Sequence, residues 1–171
     1  MNHFNRKAKS DFDQKIIDIR RVARVVAGGR RFSFRVTIVA GDRKGEVGVG
    51  MGKAADTATA IEKAFRNAKK GVIKVQLTKD FSIPHETEAK FAAAKIILKP
   101  ASKGWGLIAG SSARTVLDLA GVKNINAKII SRSKNKVNNA RATISALQKL
   151  KSEARNPKQI QNDKIKKFKT L

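Results

Sequence analysis

The 171 residues carry 38 Lys and Arg against 13 Asp and Glu, a formal charge of +25, with 41% hydrophobic residues and no cysteine. That hydrophobic share suffices for a core at this length, so the chain reads as folded and cannot be a mere basic tail; the charge argues against most ordinary enzymes, and the lack of Cys excludes disulfides, cysteine zinc sites and thiol chemistry. No run reaches the roughly 18 apolar residues of a membrane span and residues 1–10 lack the apolar core of a signal peptide, so a cytosolic protein is expected. From Gln14 the apolar residues fall at Ile17 and Ile19 and then slip to Val22 and Val25 or Val26, a strand with a bulge. Ala27-Gly28-Gly29-Arg30 turns the chain, and Phe32, Phe34, Val36 and Ile38 then alternate with Arg31, Ser33, Arg35 and Thr37 as a half-buried strand. After a turn over residues 41–45, Val47 and Val49 mark a third strand, followed by helical spacing at Ala54, Ala58, Ile61, Phe65 and Ala68, with Gly71 as the stop.

A second unit is expected to open with a strand over residues 72–77. Residues 78–85 form a loop, and residues 86–98 combine helix propensity at 89–95 with a strand-like end at Ile96-Ile97-Leu98 before Pro100, which we read as mainly strand. Beyond the glycine loop Lys103-Gly104-Trp105-Gly106, Ser111 or Ser112 caps a helix that buries Ala113, Val116, Leu117 and Ala120 and stops at Gly121. Ile125, Ala127 and Ile129 form a further strand, and Val137, Ala140, Ile144 and Leu147 a final amphipathic helix. The predicted class is α+β: a basic extension (1–13), an N-terminal RNA-binding domain of three antiparallel strands and a helix (14–70), a second α+β domain (71–150), and a Lys-rich tail (151–171) that includes Lys164 to Lys169.

A chain that keeps such charge against its own self-repulsion fits a polyanionic partner, and the basic excess is spread over every segment, which favours a protein embedded in RNA. No predicted helix sets a basic face opposite Trp, Phe or Leu, so no membrane partner is expected. The richest stretch is residues 20–35, with Arg20, Arg21, Arg24, Arg30, Arg31 and Arg35 and no acid. Arginine suits bidentate phosphate contact, and Gly28 and Gly29 allow a tight tip that comes close to another chain. Gly48-Val49-Gly50-Met51-Gly52-Lys53 at a strand-to-helix junction lacks a P-loop's first Gly (Val47) and its hydroxyl (Ala54), and its G-x-G-x-G spacing is not a dinucleotide fingerprint. A tight junction and a phosphate contact through Gly52 and Lys53 both remain open, and they are compatible. Phe32 and Phe34 lack the flanking residues of an RNA-recognition strand, so core packing is their expected role. Trp105, between two glycines, belongs to no periodic face and either closes its own core or packs on a partner. His3 and His85 sit in no catalytic or metal-ligand spacing, and Asp11 and Asp13 read as charge balance; no metal or cofactor is expected.

Residues 28–34 (GGRRFSF), Val39-Ala40-Gly41-Asp42, residues 48–54 and residues 60–64, then Pro100-Ala101-Ser102, Gly104, residues 106–110, Ala120-Gly121-Val122 and Arg141-Ala142-Thr143 resemble, in order, the fifth-protein family of the small ribosomal subunit, bacterial or organellar in type. The likeness spans about Ile17 to Leu150. It implies a double-stranded-RNA-binding-like N-terminal domain, a C-terminal domain with a βαβ core, no enzymatic activity, and a place on the cytoplasmic ribosome's body near the neck. Small-subunit ribosomal RNA, the fourth and eighth small-subunit proteins, and messenger RNA where it enters are the implied partners. The hairpin would reach toward the head, and Gly104, Trp105, Gly106 and Arg114 would face the fourth protein at a boundary linked to decoding accuracy. Ala23, Val25 and Ala27 stand where Ser, Thr and Lys are common in the family, and Trp105 replaces a small residue. The alternative reading is a free double-stranded-RNA-binding regulator.

Overall fold

The computed structural model describes residues 12–153, so most of the basic extension and the tail beyond Glu153 lie outside the described residues. The first unit is a long hairpin of β1 (Asp13–Val26) and β2 (Gly29–Gly41), then β3 (Glu46–Ala54) and helix α1 (Thr57–Lys70). Its sheet has four strands, not three. β4 (Ile73–Lys74), expected to open the second unit, pairs antiparallel with Glu46 and Val47 of β3 and completes the order β1-β2-β3-β4. β1 carries an irregularity, but its register shifts between Ile16 and Asp18 and runs unbroken from Ile19 through Val22, where the apolar pattern predicts the bulge.

β3 offers Gly48, Gly50 and Gly52 to α1, and a Cβ at these positions would fall 2.2–2.4 Å from the carbonyl oxygens of Ala68, Ala64 and Ala60. Helix and sheet therefore meet almost backbone to backbone, and α1 turns its small stripe inward: Ala60, Ala64 and Ala68 are buried, Ile61 and Phe65 half-buried, and Ala58, expected inside, is exposed. Asp56 caps the helix by accepting from the Ala58 amide.

The second unit holds β5 (Thr87–Phe91), β6 (Ala94–Pro100), β7 (Leu107–Ile108), α2 (Ser111–Leu119), β8 (Ile125–Ile129) and α3 (Lys136–Glu153), with sheet order β5-β6-β8-β7. Residues 86–98 are thus a hairpin, not one strand; its two-residue turn is Ala92-Ala93, with Ala92 at φ 51°. The βαβ unit is β7-α2-β8, whose two strands pair in parallel. The first residue of α2 is preceded by Gly110 as N-cap with no side-chain cap bond, and Ser112 is buried instead of capping. At its other end Gly121 (φ 82°) and Val122 donate to the Asp118 and Leu117 carbonyls, closing a Schellman motif.

Two α+β domains result, and one core runs through their junction: Val39 and Val47 of the first sheet share a buried cluster with Leu119, Val122 and Leu147. At the seam a Cβ on Gly41 would lie 2.3 Å from the Leu119 oxygen and one on Gly121 2.2 Å from the Arg43 oxygen, while the Arg43 amide donates to Leu119. The first sheet thus packs α1 on one face and the second domain on the other.

Candidate nucleic-acid interface

β3 reaches along β2 only as far as Phe34, so residues 22–33 form a two-stranded ribbon extending about 17 Å past the third strand. Its turn is Ala27-Gly28, and Gly29, at φ 137°, takes a conformation that other residues rarely adopt. Across the ribbon Arg20 faces Arg35, Val22 faces Ser33 and Arg24 faces Arg31, all on one surface, and Lys53 extends the row by pairing with Arg35 from β3. This surface continues the side of the sheet that holds Val39 against the second domain. The expected arginines therefore split: Arg20, Arg24, Arg31 and Arg35 share a face with Lys53, whereas Arg21 and Arg30 point to the opposite, α1-side face.

Like charges directly opposite each other on a sheet are destabilising. Arg20–Arg35 and Arg24–Arg31 are two such pairs, and an anion lying across them removes the penalty. The row does have one acid at its base: Asp18, with its side chain 13% exposed, accepts from Arg20 Nε at 2.7 Å and lies 3.7 Å from Lys136 Nζ. Outward from Asp18 the ribbon is acid-free to its tip.

Gly52 departs from the expected set. It is buried under α1, where its missing side chain makes room for the helix, so it contributes to packing and not to a solvent-facing cradle; its neighbour Lys53 is exposed. The glycine-rich run thus forms the tight junction, and the compatible phosphate-contact reading keeps Lys53 as its residue. Phe34 packs against the Val36, Ile38, Ala60 and Ala64 cluster as expected, but Phe32, beyond the helix, is 48% exposed and lies under the Arg21 guanidinium at 3.6 Å.

Trp105 does not close its own core. It is 66% exposed on a loop whose flanking Gly104 (φ 95°) and Gly106 (φ 75°) both donate their amides to Asn124 Oδ1 at 3.2 Å. Asn124, buried, donates in turn to the Asp80 carbonyl at 2.7 Å, so one amide side chain clamps the loop that displays the indole. Sequence reasoning missed Asn124; an Asn just before a strand is common, and nothing local separates a clamp from a turn residue. Arg114 is exposed in the first turn of α2. His85 is half-buried in its loop, and His3 lies outside the described residues. Asp13 pairs with Arg43 at 3.2 Å, in keeping with charge balance.

Two α+β domains and a projecting ribbon of paired arginines define a cationic α+β protein. Comparison with known proteins makes this specific: the family model described as ribosomal protein S5, N-terminal domain, matches residues 12–76, and that of the C-terminal domain matches residues 89–162. The chain belongs to the ribosomal protein S5 family, structural and non-enzymatic components of the small ribosomal subunit. It is 49% identical over 148 residues to small ribosomal subunit protein uS5c of Gracilaria tenuistipitata var. liui, covering 86% of each chain. Protein uS5c of Cyanophora paradoxa is 48% identical over 147 residues (86% of each chain), and uS5 of Acaryochloris marina (strain MBIC 11017) 45% over 151 residues, 88% of this chain and 85% of that one.

Proposed function

We propose that this protein holds small-subunit ribosomal RNA through the cationic face of the ribbon, with Arg20, Arg24, Arg31, Arg35 and Lys53 as phosphate contacts, Arg21 and Arg30 on the reverse side, and Gly28 and Gly29 bringing the tip close to the RNA. The observation that carries this is the facing of Arg20 with Arg35 and of Arg24 with Arg31 on one surface, an arrangement that an anionic strand stabilises. Family membership favours the ribosome over the free regulator. The clamped Trp105 loop with Gly104 and Gly106, together with Arg114, is the protein-contact surface in this reading, facing the fourth small-subunit protein; the eighth protein, messenger RNA where it enters, the support of decoding accuracy and the position near the neck belong to the same proposal. So does the cytoplasmic ribosome as location. Recovery of the protein only with organelle small subunits would move it there.

Salt dependence tests the phosphate contacts. Each neutralised phosphate adds about 0.9 to the slope of log affinity against log salt. Arg24→Gln with Arg31→Gln is expected to flatten the slope on small-subunit RNA by about 2 and to change stability by less than about 0.5 kcal/mol, since both side chains are exposed. An unchanged slope with the fold intact would remove these residues from the interface.

A further inference from the structure

The α1-side face of the ribbon carries a different chemistry. Past the end of the helix packing, Val25 is 75% and Phe32 48% exposed, with Ile19 also exposed toward the base. Arg21 leans diagonally along this strip and lays its guanidinium 3.6 Å from the centre of the Phe32 ring. Arg30, opposite Val25, is the next charge toward the tip. An aromatic left in water beyond the core gains little from folding; here a guanidinium sits over its ring, and Arg21 is itself exposed to solvent.

We propose that this strip takes one unpaired RNA base, stacked on the Arg21 guanidinium over Phe32, with Arg30 beside it for the adjoining phosphate. A base is the occupant that matches the features together: a π-face for the guanidinium plane, apolar edges for Val25 and Phe32, and a phosphate for a strip with two arginines and no acid. Paired RNA offers only phosphate and sugar edges here, so the ribbon reads backbone on one face and an unpaired base on the other. The inference rests on the reading of the ribbon as an RNA contact.

The test uses the full chain, a short RNA duplex, and the same duplex with one bulged fluorescent adenine analogue. Wild type is expected to bind the bulged RNA about tenfold more tightly than the paired one and to quench the analogue on binding. Phe32→Leu, which keeps an apolar side chain, is expected to abolish the preference and the quenching and to leave salt-dependent duplex binding within about twofold of wild type, and Arg21→Lys, which keeps the charge, is expected to abolish the preference and the quenching as well. Equal wild-type affinity for the two RNAs with salt dependence intact overturns the base site alone, as does a bulge preference that survives both substitutions. Duplex binding insensitive to salt instead overturns the underlying phosphate reading.

Discussion

A methyl group at Gly50 would fall 2.2 Å from the Ala64 oxygen and 2.3 Å from the Ala68 nitrogen, whereas one at Gly28 meets nothing within 4 Å. Two glycines of the same domain thus serve different ends. Gly50→Ala is expected to force α1 off the sheet and to destabilise by about 1–3 kcal/mol, because helix backbone cannot yield as a flexible side chain does. Gly28→Ala is expected to shift stability by less than about 0.5 kcal/mol. Urea midpoints for the two variants check this, and similar losses for both would mean that the glycine stripe is not a packing device. Phe32 and Phe34 teach the same lesson about position. Their alternation was legible, but only the reach of α1 along the strand decides which of them is covered.

At the scale of elements, the β1-β2-β3-α1 order, the ribbon turn, α2 and α3 were legible because each has its period and its breaker in the chain. The β5-β6 hairpin was not: Ala92-Ala93 turns without Gly, Asn, Asp or Pro, and Ala92 takes a left-handed conformation that tertiary contacts must support. β4 is legible as a strand but its place in the first sheet is not, since pairing partners are not written in a short strand. Hydrophobic size favours Ile61 and Phe65 for the inward face of α1, but they are only half-buried, while the sheet of glycines takes the alanines Ala60, Ala64 and the expected Ala68. In the Trp105 loop, two backbone amides depend on one side chain. Asn124→Ala is expected to cost about 1–3 kcal/mol and to loosen the loop. Trp105 is the sole tryptophan and the chain has no tyrosine, so its fluorescence anisotropy reports the loop directly. A clear fall in anisotropy in the folded variant is the expected result; an unchanged value would show that Asn124 does not hold the loop.

Over the whole molecule, a continuous core joins the two domains while the arginine ribbon projects beyond it, so a rigid body presents a narrow cationic arm and, elsewhere on its surface, a clamped indole. The arginines were legible as a cluster, and the alternation along β2 already sets Arg31 and Arg35 on the face opposite Phe32; which arginines of β1 meet them was not legible, because a hairpin's register decides which residues face each other across it. Arg30 and Arg31, adjacent in sequence, serve opposite faces. The most direct measurement of the account is competition for assembly: wild-type protein and the Arg24→Gln, Arg31→Gln variant, differently labelled and mixed equally, are added to small subunits assembling in vitro, and the incorporated ratio is read after sedimentation at moderate salt. Both proteins are expected to stay folded, with wild type entering stoichiometrically and in large excess over the variant. Equal incorporation, or wild-type protein that stays in the soluble fraction, would contradict it.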